Sequence, residues 1–163
     1  MALEPEIANL VTNFISAGHP SSRSHTFQER RDGYVASTAL AGCPETRVNV
    51  KDMMIDTIPL RIFSPLKEEK VLPAVVYYHG GCFVNGGFLT HENQLRQFAF
   101  LSGCRVIAVQ YRLAPEHTYP AAHDDAEYAA NIVWKYAPEL GVDRNYITLM
   151  GDSAGGHLAL ITA

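Results

Sequence analysis

The chain has 163 residues, the length of one ordinary domain. Its 47% hydrophobic and 18% charged content suits a packed globular protein and excludes a disordered one. A net charge of −4 gives no basis for nucleic acid or an anionic membrane as partner.

Three cysteines, Cys43, Cys82 and Cys104, show no C-x-x-C spacing, which argues against a disulfide framework or zinc site and makes reduced, cytoplasmic thiols the expectation. The N-terminus has acids where a secretory signal carries bases, and no segment approaches the ~20 apolar residues that span a bilayer. No feature of the sequence specifies an oligomeric state.

In chain order, Ile7, Leu10, Val11, Phe14 and Ile15 form one apolar helical stripe. Glu4 and Glu6 sit near its positive end, and Gly18-His19-Pro20 stops it. A second, weaker helix is expected from about Ser24 to Leu40. After Pro44 the texture changes. "TRVNVKDMMI" and "IPLRIFSP" alternate as a strand pair, and "KEEK" at 67–70 reads as a solvated turn. "VLPAVVYYH" (71–79) is an apolar run of buried-strand type. Residues 90–102 read as a helix with Leu95, Phe98, Ala99 and Leu101 on its apolar side. "CRVIAVQY" (104–111) is a second buried strand, followed by the long loop "RLAPEHTYPAAH". A helix over 121–137 contains Ala126, Ala129, Ala130, Val133 and Trp134, and "YITLM" (146–150) is the last strand. From Pro73 onward the order β-α-β-α-β-(α) predicts a parallel α/β sheet.

Gly151-Asp152-Ser153-Ala154-Gly155 matches G-x-S-x-G. Chance alone gives that pattern in about 5% of chains this long, so the context decides. The motif follows a buried strand and opens a helix, the setting of a nucleophile elbow. A serine on so tight a turn needs small neighbours, and Gly151, Ala154, Gly155 and Gly156 supply them. The helix start also directs N–H groups toward a developing oxyanion. The plain alternative is an idle serine on a glycine-rich turn, or one that holds a phosphate. A phosphate loop would want G-x-G-x-x-G or a lysine after the glycines, and neither is here.

"YYHGGCFVNGG" (77–87) follows another buried strand. Its adjacent glycines leave backbone N–H groups open to a ligand. An oxyanion needs donors from two directions, one just after the nucleophile and one from such a loop. With these motifs, "VIAVQYRLAPEHTYPAAHDDA" and "ITLMGDSAGGHLA", the chain resembles the hormone-sensitive-lipase-like α/β-hydrolases, serine esterases and lipases with an HGGG loop. The resemblance implies an α/β-hydrolase fold, a mostly parallel sheet flanked by helices. It implies an N-terminal helical cap over residues 1–42 and the N-terminal part of the catalytic domain over 43–163.

By resemblance Ser153 is the nucleophile, and the N–H groups of Gly81, Cys82 and Ala154 form the oxyanion hole. His79 and Gly80 shape the loop, Asp152 precedes the nucleophile, and Asp124 and Asp125 fix neighbouring loops. Each of these supporting roles could equally be plain structural hydrogen bonding. The implied substrate is a small-molecule ester, with no cofactor and no metal. Cys82 stands where the family has glycine. Its N–H survives as a donor. A positive φ there would cost roughly 1–2 kcal/mol; otherwise Cys82 is simply a small residue that fits.

Serine needs a general base, and the base an orienting acid, in the chain order Ser, Asp or Glu, His. No acid follows Ser153, and the only later histidine is His157, four residues along the same helix and read as a surface or packing residue. An order His79, Asp124, Ser153 fits poorly, because His79 lies in the oxyanion loop and Asp124 opens a flanking helix. The expectation is that acid, base and further strands lie beyond Ala163. The chain alone is then inactive, with "YITLM" an open edge. A hydrolase-fold binding protein of the gibberellin-receptor type, or an amide or formamide hydrolase, would carry the same elbow and loop.

Overall fold

The computed structural model describes residues 3–18, 24–66 and 71–163. β1 (Val48–Ile55) and β2 (Ile58–Pro65) form a hairpin in register from Val48↔Pro65 to Ile55↔Ile58. β2 pairs antiparallel with β4 (Arg105–Val109). β3 (Leu72–Tyr78) pairs parallel with β4 on one side and with β5 (Val142–Gly151) on the other. The sheet order is β1-β2-β4-β3-β5. The sheet is therefore mixed: parallel over β3, β4 and β5, antiparallel at the hairpin.

β3 is covered on both faces, which is why it reads as a nearly continuous apolar run. Ala74, Val76 and Tyr78 share one core with Ile107, Val109, Ala126, Ala129, Val133 and Leu158. The last four belong to α4 (Ala121–Lys135) and α5 (Ala154–Thr162). Val75 and Tyr77 point the other way, into a core with Phe63, Val106, and Leu95 and Ala99 of α3 (Phe88–Ser102). The two-residue period thus sends the hydroxyls of Tyr77 and Tyr78 to opposite faces.

β5 is longer than "YITLM" because Val142 also pairs, opposite Leu72, before the register breaks and resumes at Ala74↔Ile147. Residues 143–146 bulge from the ladder, so only the second half alternates in sequence. Leu101 is a correction. It is 75% exposed rather than on the apolar side of α3. Six residues beyond Leu95, at about 100° each, it falls well off the stripe of His91, Leu95 and Ala99 that the helix buries.

α1 (Pro5–Ser16) forms as its stripe predicts, yet buries none of it: Ile7, Leu10, Val11, Phe14 and Ile15 are 41–71% exposed. Its expected stop at His19-Pro20 lies outside the described residues, as does the turn at 67–70. α2 (Phe27–Ser37) is shorter than expected and passes into a 3-10 turn, Thr38–Ala41. It begins at Thr26 because Thr26 and Glu29 form a capping box. Among the described residues no helix is long and apolar enough to cross a membrane.

Candidate active site

β5 ends at Gly151 and α5 begins at Ala154, leaving Asp152 and Ser153 to turn the chain. Ser153 takes φ 51 and ψ −119, a conformation that L-residues rarely adopt and that costs of order 1–3 kcal/mol. Such strain persists only where the surroundings over-determine it. They do so here. A Cβ on Gly155 would collide with the backbone carbonyl of Tyr78, because the first turn of α5 packs directly on the end of β3. Ser153 is exposed at the tip of this turn, and its hydroxyl bonds no described residue.

The loop after β3 lies against the elbow. Oδ1 of Asp152 accepts hydrogen bonds from the Gly80 N–H at 2.8 Å and the Tyr77 hydroxyl at 2.7 Å. Nε2 of the buried His91 stands 3.3 Å from the same oxygen. Any side chain on Gly80 would strike this carboxylate. Burial pushes the Asp152 carboxyl up, but the hydrogen bond from Tyr77, the His91 ring and the Gly80 N–H outweigh it and hold it below its ordinary 3.8. Asp152 therefore stays ionised and joins two motifs 72 residues apart.

His79 lies beneath the loop, 3% exposed. Its ring stacks on Tyr111 with centroids 4.3 Å apart, and its Nδ1–H donates to the Gly80 carbonyl at 2.8 Å. The Tyr111 hydroxyl donates to the His79 carbonyl at 2.6 Å. Burial pushes the His79 ring down to about 4, so it is neutral at pH 7. The ring is a pillar under the loop.

Beyond it the backbone turns left-handed at Cys82 (φ 56) and Phe83 (φ 62), after Gly81 at φ 127. Cys82 thus occupies the conformation that glycine adopts without strain. The N–H groups of Gly81, Cys82 and Ala154 have no acceptor among the described residues. The following residues are fastened: Val84 and Asn85 donate to the Gly81 carbonyl, and Ala114 N–H donates to Phe83.

Asp125 is buried and grips Arg112, accepting from its guanidinium at 2.7–3.0 Å and from its backbone N–H at 2.8 Å. This fork holds the loop after β4. The Asp124 carboxylate is exposed and accepts no hydrogen bond from a described residue. His157 is exposed too. It stands with Nε2 at 3.4 Å from Nε2 of His123, and both rings pack on Phe83.

The sequence reading missed three residues at this site. His91 fell on the apolar stripe of α3 with Leu95 and Ala99, a polar residue where the pattern wants none, and that was a usable signal. Tyr77 could have been found from the period-2 alternation. Arg31 of α2 gave no local signal. Its guanidinium donates to the carbonyls of Val84 (2.8 Å) and Ala114 (2.9 Å) and forks onto Glu116 (2.7 and 2.8 Å).

A family model for the alpha/beta hydrolase fold matches residues 75–163, more than half the chain. The chain belongs to the hormone-sensitive-lipase-like α/β-hydrolase family. It is 42% identical over 123 residues to a carboxylesterase of Mycobacterium tuberculosis, covering 74% of this chain and 39% of the relative. To an ethyl acetate hydrolase of Pseudomonas putida it is 34% identical over 175 residues, covering all of this chain and 55% of the relative. Among solved structures, a hyperthermophilic esterase of the archaeon Pyrobaculum calidifontis superimposes with a TM-score of 0.86 at 39% identity, over 99% of this chain and 53% of that one. The chain thus spans about half the length, or less, of the relatives it matches.

Proposed function

We propose that the protein hydrolyses small carboxylic esters through an acyl-enzyme formed on Ser153. One arrangement carries this reading: a serine held at φ 51 on a strand-to-helix turn, joined through Asp152 to a loop with unpaired N–H groups. Relatives named carboxylesterase and ethyl acetate hydrolase support the ester class.

In the proposed reaction Ser153 Oγ attacks the ester carbonyl carbon while its proton passes to a general base. The N–H groups of Gly81, Cys82 and Ala154 receive the negative charge on the carbonyl oxygen. Collapse breaks the bond to the alcohol oxygen, and the base returns the proton to the departing alcohol. Water then repeats the sequence, releasing the acid and restoring Ser153. His79, Gly80 and Asp152 position the donor loop, and Asp125 holds the neighbouring loop through Arg112, with the charge of Asp124 nearby. Residues 1–42 act as a cap on the catalytic part, 43–163. No histidine among the described residues bonds the Ser153 hydroxyl: His79 is buried and neutral, and His157 faces His123. The whole protein's activity therefore needs a base from elsewhere.

The test uses the full-length protein and a phosphonate ester, with the adduct mapped by mass spectrometry. The adduct is expected on Ser153, and Ser153→Ala should lower kcat by ~10⁴-fold or more. An adduct on another residue, or undiminished turnover by Ser153→Ala, overturns the assignment.

A further inference from the structure

We propose that His123 and His157 form a two-histidine site for a divalent transition-metal ion of the Zn²⁺ class, beside the candidate oxyanion loop. The sequence placed His157 on a helix surface, and nothing in the ester reaction uses either ring.

The geometry points to a shared ion. The two Nε2 atoms are 3.4 Å apart. A direct N–H hydrogen bond is best made nearer ~2.9–3.0 Å. Two nitrogens bound at ~2.0–2.1 Å to one tetrahedral ion stand about 3.3–3.4 Å apart. Ring orientation agrees. The ring centroids are 5.4 Å apart with their planes at 76°. Two imidazoles aimed at one tetrahedral ion have centroids about 5.2 Å apart. The Nε2 atoms are therefore nearer to each other than the rings are, as convergence on a common point requires.

The surroundings fix this spacing. His123 lies in the first turn of α4 and His157 in the first turn of α5, two helices packed on the same sheet face. Tyr119 packs edge-on against His123 at 4.9 Å, and Phe83 contacts both rings at 5.7 and 6.1 Å. The rings are thus held before any ion arrives. His157 is exposed among the described residues, which leaves room there for an ion and its completing waters. Among the described residues no third histidine, cysteine or carboxylate joins them. His123 Nδ1 is buried without a hydrogen-bond partner among the described residues, so no acceptor behind the ring orients it as a ligand. Both facts set a modest affinity. Because Phe83 follows Cys82, occupancy is felt next to the candidate donor loop.

The experiment is calorimetric titration of the full-length protein with ZnCl₂, for the wild type and for His123→Gln, His157→Gln, the double variant and His117→Gln. The wild type is expected to take up one Zn²⁺ that each of the first two variants binds far less well. Losing an outer partner of a metal-bound histidine already weakens binding ~10–100-fold, so losing a ligand should cost at least that. The double variant should be no worse than either single one, and His117→Gln should match the wild type. Nitrogen-15 spectra of the wild-type histidine rings make the test independent of variant folding: Zn²⁺ should move the Nε2 signals of His123 and His157. No saturable binding at millimolar Zn²⁺, affinity unchanged in both single variants, or Nε2 signals that stay still overturns the proposal. The titration needs no turnover, so it stands or falls apart from the ester reading.

Discussion

Residues 79–82 and 151–155 meet through backbone packing and one carboxylate. α2 meets the rest through side chains, with Arg31 reaching three loop groups and Tyr34 set edge-on to His91 at 6.0 Å. At the junction, glycines let two backbones touch, and Asp152 closes the contact from inside. At the N-terminus α1 and α2 bury no side chain fully, and the apolar stripe of α1 remains exposed. A reaction that depends on where an N–H points needs the first kind of construction. A segment that covers a site can use the second, because few apolar contacts leave it free to open locally.

The largest break in this contrast comes from Asp152. Asp152→Ala leaves the Tyr77 hydroxyl and the Gly80 N–H without their acceptor and frees the donor loop. If the proposed oxyanion hole depends on that loop, kcat should fall on the order of 10²-fold, the scale of one lost donor. Stability should fall by about 1–3 kcal/mol. Asp152→Asn keeps an acceptor oxygen and should retain most of both. The pH dependence follows from the lowered carboxyl. A depressed folded pKa gives stability that is present above the unfolded value, near 3.8, and is lost as pH falls through the folded value. The gap in Tm between wild type and Asp152→Asn should therefore close below about pH 4. A gap that persists at pH 2, or wild-type kcat in Asp152→Ala, counts against the pin.

How much of this was legible in the sequence depended on whether the cause was local. Ser153 and its small neighbours were legible, because a strained turn admits few residue types. The hairpin and β3–β5 were legible from period and burial. The bulge at 143–146 was not, since nothing in those residues says where pairing with Leu72 resumes. The stripe of α1 was a true helix signal, but periodicity names a face without naming what covers it. Leu101 was misplaced by an apolar count that ignored the 100° step. Arg31 could not be read at all, because its partners are carbonyls 53 and 83 residues away. A backbone acceptor has no side-chain identity to spot.

Arg31 is the next lever. Arg31→Ala removes the tether from α2 to Val84, Ala114 and Glu116. The guanidinium is mostly covered but Glu116 is half exposed, so the ion pair itself contributes little. The hydrogen bonds to the two carbonyls should dominate, at about 1–2 kcal/mol. Limited proteolysis should then cut residues 1–42 faster while residues 71–163 remain protected. Arg31→Lys should lie nearer to alanine than to the wild type, because an ammonium cannot copy the fork. Equal cutting rates in wild type and Arg31→Ala would remove Arg31 as the tether.

The smallest expected effect is at Cys82, and it asks whether the donor loop is shaped by backbone or by side chain. Cys82 holds φ 56 and is exposed, so its thiol is not fixed by packing. An L-residue in this region costs roughly 1–2 kcal/mol that glycine avoids. Against this, glycine widens the unfolded ensemble and loses about 0.4–1 kcal/mol. The difference predicts that Cys82→Gly is neutral to about 1.5 kcal/mol more stable, measured by urea unfolding of the full-length protein. The N–H is retained, so kcat should stay within about twofold, against the 10²-fold of a lost donor. Cys82→Ser keeps both Cβ and N–H and should match the wild type in each measurement. A large loss of kcat in Cys82→Ser alone would give the thiol a role that the loop's backbone does not explain. A large loss in Cys82→Gly alone would show that the side chain, by narrowing the loop's choice of conformations, is what keeps the donors aimed.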